Sequence, residues 1–135
     1  MNGRFQIAVH IMTLLTVSEG EQLSSDYIAG SINANAALIR KELSNLRKHN
    51  LVSSKEGKAG GYTLAKPAQQ ITMAQIYQAV KQDSILGEAR NAPNPACAVG
   101  KNINKHMAAI NTGIDDLINK KLGMQSLADF SKQFQ

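Results

Sequence analysis

One stretch of the sequence, from Leu23 to Leu64, constrains the fold more than any other. It holds two groups of apolar residues at helical spacing, the second of them from Leu38 to Leu46, with an Asn-Ala-Asn break at positions 33–35 between them. Ser24 or Ser25 is a suitable N-cap for the first helix. Two short helices at this separation are typical of the helix-turn-helix unit, whose second helix enters the major groove of DNA.

The second predicted helix is amphipathic. Its apolar stripe is expected to face the interior, and consists of Leu38, Ile39, Leu43 and Leu46. Its cations fall largely on other faces, and are Arg40, Lys41, Arg47 and Lys48. The pattern therefore predicts a helix that packs on one side and presents positive charge on the other.

A change of period after this helix predicts two short antiparallel strands, at 51–55 and 62–65, joined by a glycine-rich turn with Lys58 at its tip. This order of elements is that of a winged helix. Between Arg40 and Lys58 there are six cations and two anions, a net charge of +4 out of +5 for the whole chain. Positive charge concentrated on a recognition helix and wing favours DNA binding. The alternative is a solvated amphipathic helix followed by an ordinary hairpin.

We expect a mainly α fold with a small β-wing, a winged helix-turn-helix followed by a long dimerisation helix. The predicted parts are a DNA-binding domain over 1–81, a loop over 82–98 that carries Cys97, the dimerisation helix over 99–122, and a C-terminal segment over 123–135 that packs on the body. In the last segment Ser126 is expected to cap a short helix, and the side chains turned toward the body are Leu127, Phe130 and Phe134.

The long helix carries apolar residues at intervals of three, four and seven, which predicts a seam for a partner helix. At 1.5 Å per residue the helix would be roughly 36 Å long, more than a winged helix of about 80 residues can cover. Dimerisation is the economical explanation. The predicted dimer interface comprises Ile103, Met107, Ile110, Ile114, Leu117 and Ile118.

Composition narrows the class of protein. Aromatic residues make up only 4% of the 135 residues and tryptophan is absent, which argues against base stacking as a way to bind single-stranded RNA. No apolar run approaches the roughly 18–20 residues that span a bilayer, and no signal-peptide pattern is expected at the N-terminus. One cysteine cannot form an internal disulfide, which fits a cytoplasmic protein.

The sequence offers little support for catalysis or for a metal. The glycines at 57, 60 and 61 do not precede a helix in a βαβ unit, and no Cys–His spacing suggests a nucleophile and its base, so we expect no enzyme. The histidines are scattered, and Cys97 is the only cysteine, so we expect no cofactor and no metal. Cys97 is a candidate redox sensor if its thiol is exposed and its pKa is lowered, or else a small residue packed in the dimer seam.

Several motifs resemble a known family. They are the start Gly3-Arg4-Phe5, the run Ala37-Leu38-Ile39-Arg40-Lys41, the wing sequence Gly60-Gly61-Tyr62-Thr63-Leu64-Ala65, the segment Ile71-Thr72-Met73-Ala74-Gln75-Ile76-Tyr77 and the loop Asn94-Pro95-Ala96-Cys97-Ala98-Val99-Gly100. Together they resemble the Rrf2-type winged-helix regulators typified by IscR, NsrR and CymR, and in the loop a YwnA-like branch. The resemblance covers nearly the whole chain. The chain departs from the cluster-binding members, which carry three cysteines in this loop, because it has only one.

The resemblance implies a homodimeric transcription factor, usually a repressor, that binds an inverted repeat in double-stranded DNA, with an oxidant or a small molecule as a candidate effector. It implies that residues of the helix from Asn35 to Arg40 read bases and that Lys58 enters the minor groove. The DNA-binding residues implied are Arg4, Ser25, Asn35, Ala36, Ala37, Arg40, Lys41, Lys58, Gly60 and Tyr62. Among these, the candidates for phosphate contact are Arg4, Ser25 and Lys41.

A second class of function is a protein-interaction adaptor, with the winged helix as a docking surface and the long helix as a partner seam. An adaptor would form a tight heteromeric complex and bind DNA only weakly and without sequence preference.

Overall fold

The computed structural model describes residues 3–82 and 84–135. The α-helices are α1 (Arg4–Val17), α2 (Ser25–Ile32), α3 (Ala36–Lys48), α4 (Met73–Val80), α5 (Ala98–Leu122) and α6 (Leu127–Ser131). A two-stranded antiparallel sheet is formed by β1 (Val52–Lys55) and β2 (Gly61–Leu64), and short 3₁₀ helices lie at Ala68–Gln70 and Lys132–Phe134. The predicted fold class, mainly α with a small β-wing, is confirmed.

Polar residues placed just before the apolar runs set where the helices begin. The Ser24 hydroxyl accepts a hydrogen bond from the backbone N–H of Tyr27, so Ser24 is the N-cap of α2. Thr72 and Gln75 form a capping box at the start of α4, each side chain accepting from the other residue's backbone N–H. Ser126 caps α6 in the same way as Ser24 caps α2. These bonds satisfy backbone donors that a helix start otherwise leaves unpaired.

A single hydrophobic core lies between α1, the helix pair α2–α3, the wing and α4. The side chains that are completely enclosed include Ile11, Met12, Ile28, Ile39, Leu43, Leu46, Ile71 and Ile76. The C-terminal α6 closes this core by burying Leu127, whose N–H donates to the Ile71 carbonyl at 2.7 Å. We call residues 3–80 and 123–135 the body.

The wing is joined to the rest of the body along its second strand. Its register pairs Val52 with Leu64 and Lys55 with Gly61. Tyr62 also exchanges backbone hydrogen bonds of 2.8 and 3.1 Å with Leu23, just before α2. Gly61 makes this approach possible, since its φ is +148° and a Cβ there would lie 2.7 Å from the Leu23 carbonyl oxygen. The Gly61 position therefore fixes the angle between the wing and the helix-turn-helix.

The long helix α5 has no buried residue. We call α5 the arm. Its C-terminal half contacts α4 through polar bonds to Asp115, whose carboxylate pairs with Lys81 Nζ at 2.5 Å and accepts from the Tyr77 hydroxyl at 3.4 Å. Asn119 also bonds to Gln78. The residues from 101 to 110 are all exposed, so this part of the arm projects from the body.

Two predictions about apolar side chains are wrong. Leu38 was expected in the buried stripe of α3 but is 42% exposed, because the stripe is centred on Ile39, Leu43 and Leu46 and Leu38 lies at its edge. Phe134 was expected to turn toward the body but is 60% exposed and touches only its neighbour Phe130 among the described ring pairs, with ring centroids 5.5 Å apart. Spacing alone did not separate the edge of an apolar stripe from its centre.

The segment between α4 and the arm contains neither helix nor strand over residues 84–97. It ends in a tight turn in which Asn94 Oδ1 accepts from Ala96 N–H at 2.9 Å. Gly100 permits this turn to lie on the first turn of α5, since a Cβ there would be 2.5 Å from the Asn94 carbonyl oxygen. Over the described residues, every helix is too short or too polar to cross a membrane.

Candidate nucleic-acid interface

The burial of one face of α3 decides which side chains the helix presents outward. Ile39, Leu43 and Leu46 are enclosed, and the helix therefore exposes the opposite face. That face and its flanks carry Ala37, Leu38, Arg40, Lys41, Ser44 and Lys48. We call this set the α3 surface. The α3 surface is apolar at the first turn of the helix and carries its cations after that turn.

The wing is tied to α3 by a hydrogen bond of 2.8 Å from Arg47 Nη1 to Ser54 Oγ on β1. Lys58 lies exposed at the tip, in a turn closed by a 3.0 Å bond from Gly60 N–H to the Gly57 carbonyl. A side chain at Gly60 would collide with the Lys55 carbonyl oxygen. The role of Gly60 that the structure explains is thus steric, since its lack of a Cβ allows the tip to close.

Arg4 lies at the start of α1, against the recognition helix. Its Nε and Nη2 donate to both carboxylate oxygens of Glu42, with distances from 2.9 to 3.2 Å. These hydrogen bonds raise the pKa of Arg4 above its usual value. The Glu42 side chain is only 2% exposed. Arg4, which was predicted to contact phosphate, is therefore already bound to a buried carboxylate in this structure.

The other predicted DNA-binding residues lie in varied surroundings. Asn35 is the N-cap of α3, and its Oδ1 accepts from Ala37 N–H at 2.7 Å. Ala36 and Ser25 are half-buried at the first positions of their helices. Tyr62 is half-buried and packs against the core from the wing. The exposed members of the predicted set are thus concentrated on α3 and at the wing tip.

Cys97 is exposed at the N-cap position of α5. The backbone N–H groups of Gly100 and Val99, in the first turn of α5, lower the pKa of its thiol. These donors are the free amides of a helix N-terminus, which favour an anion. The redox role of Cys97 stays a prediction, and exposure together with a lowered pKa is what supports it.

The predicted dimer residues form a stripe along the arm. Ile103, Met107, Ile110 and Leu117 are exposed, whereas Ile114 and Ile118 are half-buried where the arm meets α4. Val99 continues the exposed part of the stripe toward the N-terminus of the arm. A stripe this long and apolar would be costly to leave in water.

Two features of the site escaped the sequence reasoning. Glu42 is a buried acid within the apolar stripe, and its position between Ile39 and Leu43 was the signal that it needed a partner. No local spacing identifies that partner, because Arg4 lies 38 residues earlier in the chain. The exposed Leu38 was the second feature.

Comparison with known proteins gives one matching family model, Rrf2, described as an iron-dependent transcriptional regulator, over residues 1–133. YwnA of Bacillus subtilis, named as an HTH-type transcriptional regulator, is 31% identical over 129 residues, which cover 96% of this chain and 95% of YwnA. Among solved structures, a transcriptional regulator from Lactobacillus plantarum has a TM-score of 0.82 at 25% identity, covering 99% of this chain and 91% of that one. The structure of CymR from Bacillus subtilis has a TM-score of 0.72 at 23% identity, with coverage of 98% and 96%.

The residues of this chain do not fit the iron in that family description. Iron–sulfur clusters are held by several cysteine thiolates, and Cys97 is the only cysteine in the sequence. Within residues 3–82 and 84–135, no three side chains of histidine, cysteine, aspartate or glutamate come together as metal ligands would.

Proposed function

Since the chain belongs to the Rrf2 family of transcriptional regulators, we propose that it acts as a homodimeric repressor on an inverted repeat in double-stranded DNA. The chain is a regulator of a DNA-binding, non-enzymatic family. The proposal adds the dimer, the repeat and the sense of regulation. Because its DNA partner is the chromosome of a bacterial cell, we place its action in the cytoplasm.

The observation that carries the proposal is the α3 surface with the wing tip beside it. Arg40, Lys41 and Lys48 are exposed on a helix whose other face is fixed in the core, and Lys58 is exposed on a wing bonded to that helix. A rigid helix with outward cations fits the major groove, and a basic wing tip supplies a second contact nearby. Phosphate neutralisation by these cations predicts steep salt dependence.

The homodimer is supported by the exposed stripe on the arm. A second copy offers the same stripe, and two arms packed together would cover both. A two-fold protein would bind two half-sites about one helical turn, or a multiple of it, apart. Repression then requires only that the dimer occupies its operator.

We also propose Cys97 as the point at which an oxidant acts. Its thiolate would attack one oxygen of hydrogen peroxide, the O–O bond would break, and the sulfur would become a sulfenic acid as the other oxygen leaves as hydroxide and takes up a proton. Because Cys97 lies at the start of the arm, this change would occur beside the proposed dimer seam.

The test begins with selection of bound duplexes from a randomised pool by the full-length protein. Fluorescence anisotropy then compares the selected duplex with a random one over a salt series. We expect at least about a hundred-fold preference for the selected duplex and an inverted repeat within it. Equal affinity for both duplexes, together with a tight heteromeric complex, would instead favour the adaptor function.

Two variants resolve the surface. Arg40→Ala should cost about 1–3 kcal/mol on the selected duplex and less on random DNA, because it removes a base contact. Lys58→Ala should weaken both duplexes more evenly if the wing contacts phosphate or a degenerate minor groove. Equal losses on both duplexes for Arg40→Ala would contradict base reading by that residue.

A further inference from the structure

The first turn of α3 presents an unusual surface for a helix that enters DNA. Ala37 and Leu38 are exposed there, and Ala36 beside them is half-buried. Leu38 is absent from the core and from the apolar side chains that pack against it. The part of the helix expected to enter the groove first therefore offers only methyl and methylene groups.

The polar residue that precedes this turn is already engaged. Asn35 Oδ1 accepts the hydrogen bond from Ala37 N–H that caps the helix. Asparagine recognises adenine by using its amide oxygen and nitrogen together, as acceptor and donor. Because the oxygen already accepts the cap hydrogen bond, a two-point contact with adenine would have to share that oxygen between the base and the cap.

The surroundings of the apolar turn point to DNA as its occupant. Lys41 lies one turn further along the same exposed side, and Arg40 lies on the neighbouring flank. An apolar spot with cations next to it is complementary to a polyanion that carries apolar groups. In the major groove those groups are the C5-methyls of thymine, which alanine and other apolar side chains contact.

We propose that Ala37 and Leu38 read thymine methyl groups in each half-site, next to a base pair read by Arg40. This inference rests on the proposed operator binding and gives it a chemical specificity. Each half-site should contain at least one thymine whose methyl, and not its hydrogen-bonding edge, is recognised.

The experiment replaces each thymine of the selected duplex by uracil, one position at a time, which removes only the C5-methyl. Burial of a group of this size is worth about 0.8 kcal/mol, and tenfold in affinity corresponds to about 1.4 kcal/mol, so we expect about fourfold weaker binding at the recognised position. At the other thymines the substitution should have little effect.

Variants assign the effect to the helix. In Leu38→Ala or Ala37→Gly the preference for thymine over uracil at that position should fall to near onefold. Val17→Ala is the matched control, because Val17 is an apolar side chain of α1 that is 39% exposed, similar to Leu38, and lies outside the α3 surface, and its ratio should equal that of the unaltered protein. Thermal unfolding of each variant checks that the fold persists, and Leu38→Ala is the safer change because it leaves helix propensity intact.

The outcomes separate the two proposals. A selected duplex with no uracil-sensitive position, or a thymine preference that persists in both variants, would overturn the methyl-reading inference while operator binding stands. A pool that yields no sequence preference at all would overturn both.

Discussion

The body and the arm carry similar apolar periodicity but differ in what that periodicity buries. In the body the spaced residues of α1, α3 and α4 meet one another and are enclosed. In the arm the same kind of spacing leaves Ile103, Met107, Ile110 and Leu117 exposed to water, and only the part of the stripe that meets α4 is half-buried. Periodicity thus identifies which face of a helix needs a partner, and the rest of the chain decides whether that partner lies in the same molecule.

The largest expected effect is on the stability of the body, and it is compared with the effect of the same leucine-to-alanine substitution in the arm. Leu43→Ala empties a fully enclosed site and should lower the free energy of unfolding by about 2–5 kcal/mol at any protein concentration. Leu117 is 68% exposed. Leu117→Ala should lower the free energy of unfolding by less than about 0.5 kcal/mol in a dilute solution, and by more at a concentration at which two copies pair. Urea unfolding at two concentrations makes the comparison. If the loss of unfolding free energy in Leu117→Ala did not depend on protein concentration, a second copy would not be what covers the arm.

The next effect concerns the ion pair that joins α1 to the recognition helix. Arg4→Ala leaves the buried Glu42 carboxylate without its bidentate partner and should cost about 3 kcal/mol of unfolding free energy. The double variant Arg4→Ala with Glu42→Leu removes the stranded charge and should recover most of that loss. Unfolding is measured without DNA. Unchanged stability in Arg4→Ala, with DNA affinity reduced, would show that phosphate contact outweighs the ion pair.

A smaller effect belongs to the junction of body and arm. Asp115→Asn should cost less than about 1 kcal/mol, because the bond to Lys81 is partly exposed. Hydrogen bonding to Asp115 raises the pKa of Lys81, and burial together with Asp115 raises that of Tyr77. Both groups hold protons more tightly when folded, so stability is fully present below about pH 10 and is lost as the pH rises further.

Urea unfolding between about pH 8 and pH 11 measures this slope, which should be shallower in Asp115→Asn. Asp26→Asn is the matched control, since it removes the same charge from an exposed position on α2, away from the junction of body and arm. An equal slope in the unaltered protein and in Asp115→Asn would contradict the coupling.

The smallest expected effect is on the reactivity of the Cys97 thiol. Because backbone N–H groups lower the pKa of its thiol, alkylation by iodoacetamide should reach half its maximal rate at a lower pH in the folded protein than in the urea-unfolded chain. Protonation should suppress the reaction as the pH falls. Cys97→Ser is the control for reaction elsewhere. A folded-state midpoint at or above the unfolded one would remove the physical basis of the sensor proposal.

Local signals in the sequence were sufficient for most of the fold. Ser24 or Ser25 and Ser126 predict helix starts because a cap and its helix are neighbours in the chain, and Ser24 and Ser126 are the caps that the structure shows. The order of helices, strands and glycines predicts the winged helix for the same reason. Short-range chemistry leaves a short-range pattern.

Features that depend on distant contacts were harder to predict. The pairing of Arg4 with Glu42 and the bonds of Asp115 join residues 38 or 34 positions apart, which no periodicity reports. Leu38 was misassigned because its exposure depends on how α3 turns against α1 and α4. The charge of the site was visible in the sequence, whereas the apolar first turn of α3 became visible only once the helix was oriented.

The bond between the wing and Leu23 has a consequence for engineering. Residues 56–59 form the wing tip between β1 and Gly60, and they lie outside the backbone bonds between Tyr62 and Leu23. Grafting a longer or more basic tip into this interval would alter how far the wing reaches without disturbing the joint that aims it. Replacement of Gly61 would do the reverse, by redirecting an unchanged tip. The wing therefore consists of a tip that can be exchanged, residues 56–59, and a fixed attachment at Gly61 and Tyr62.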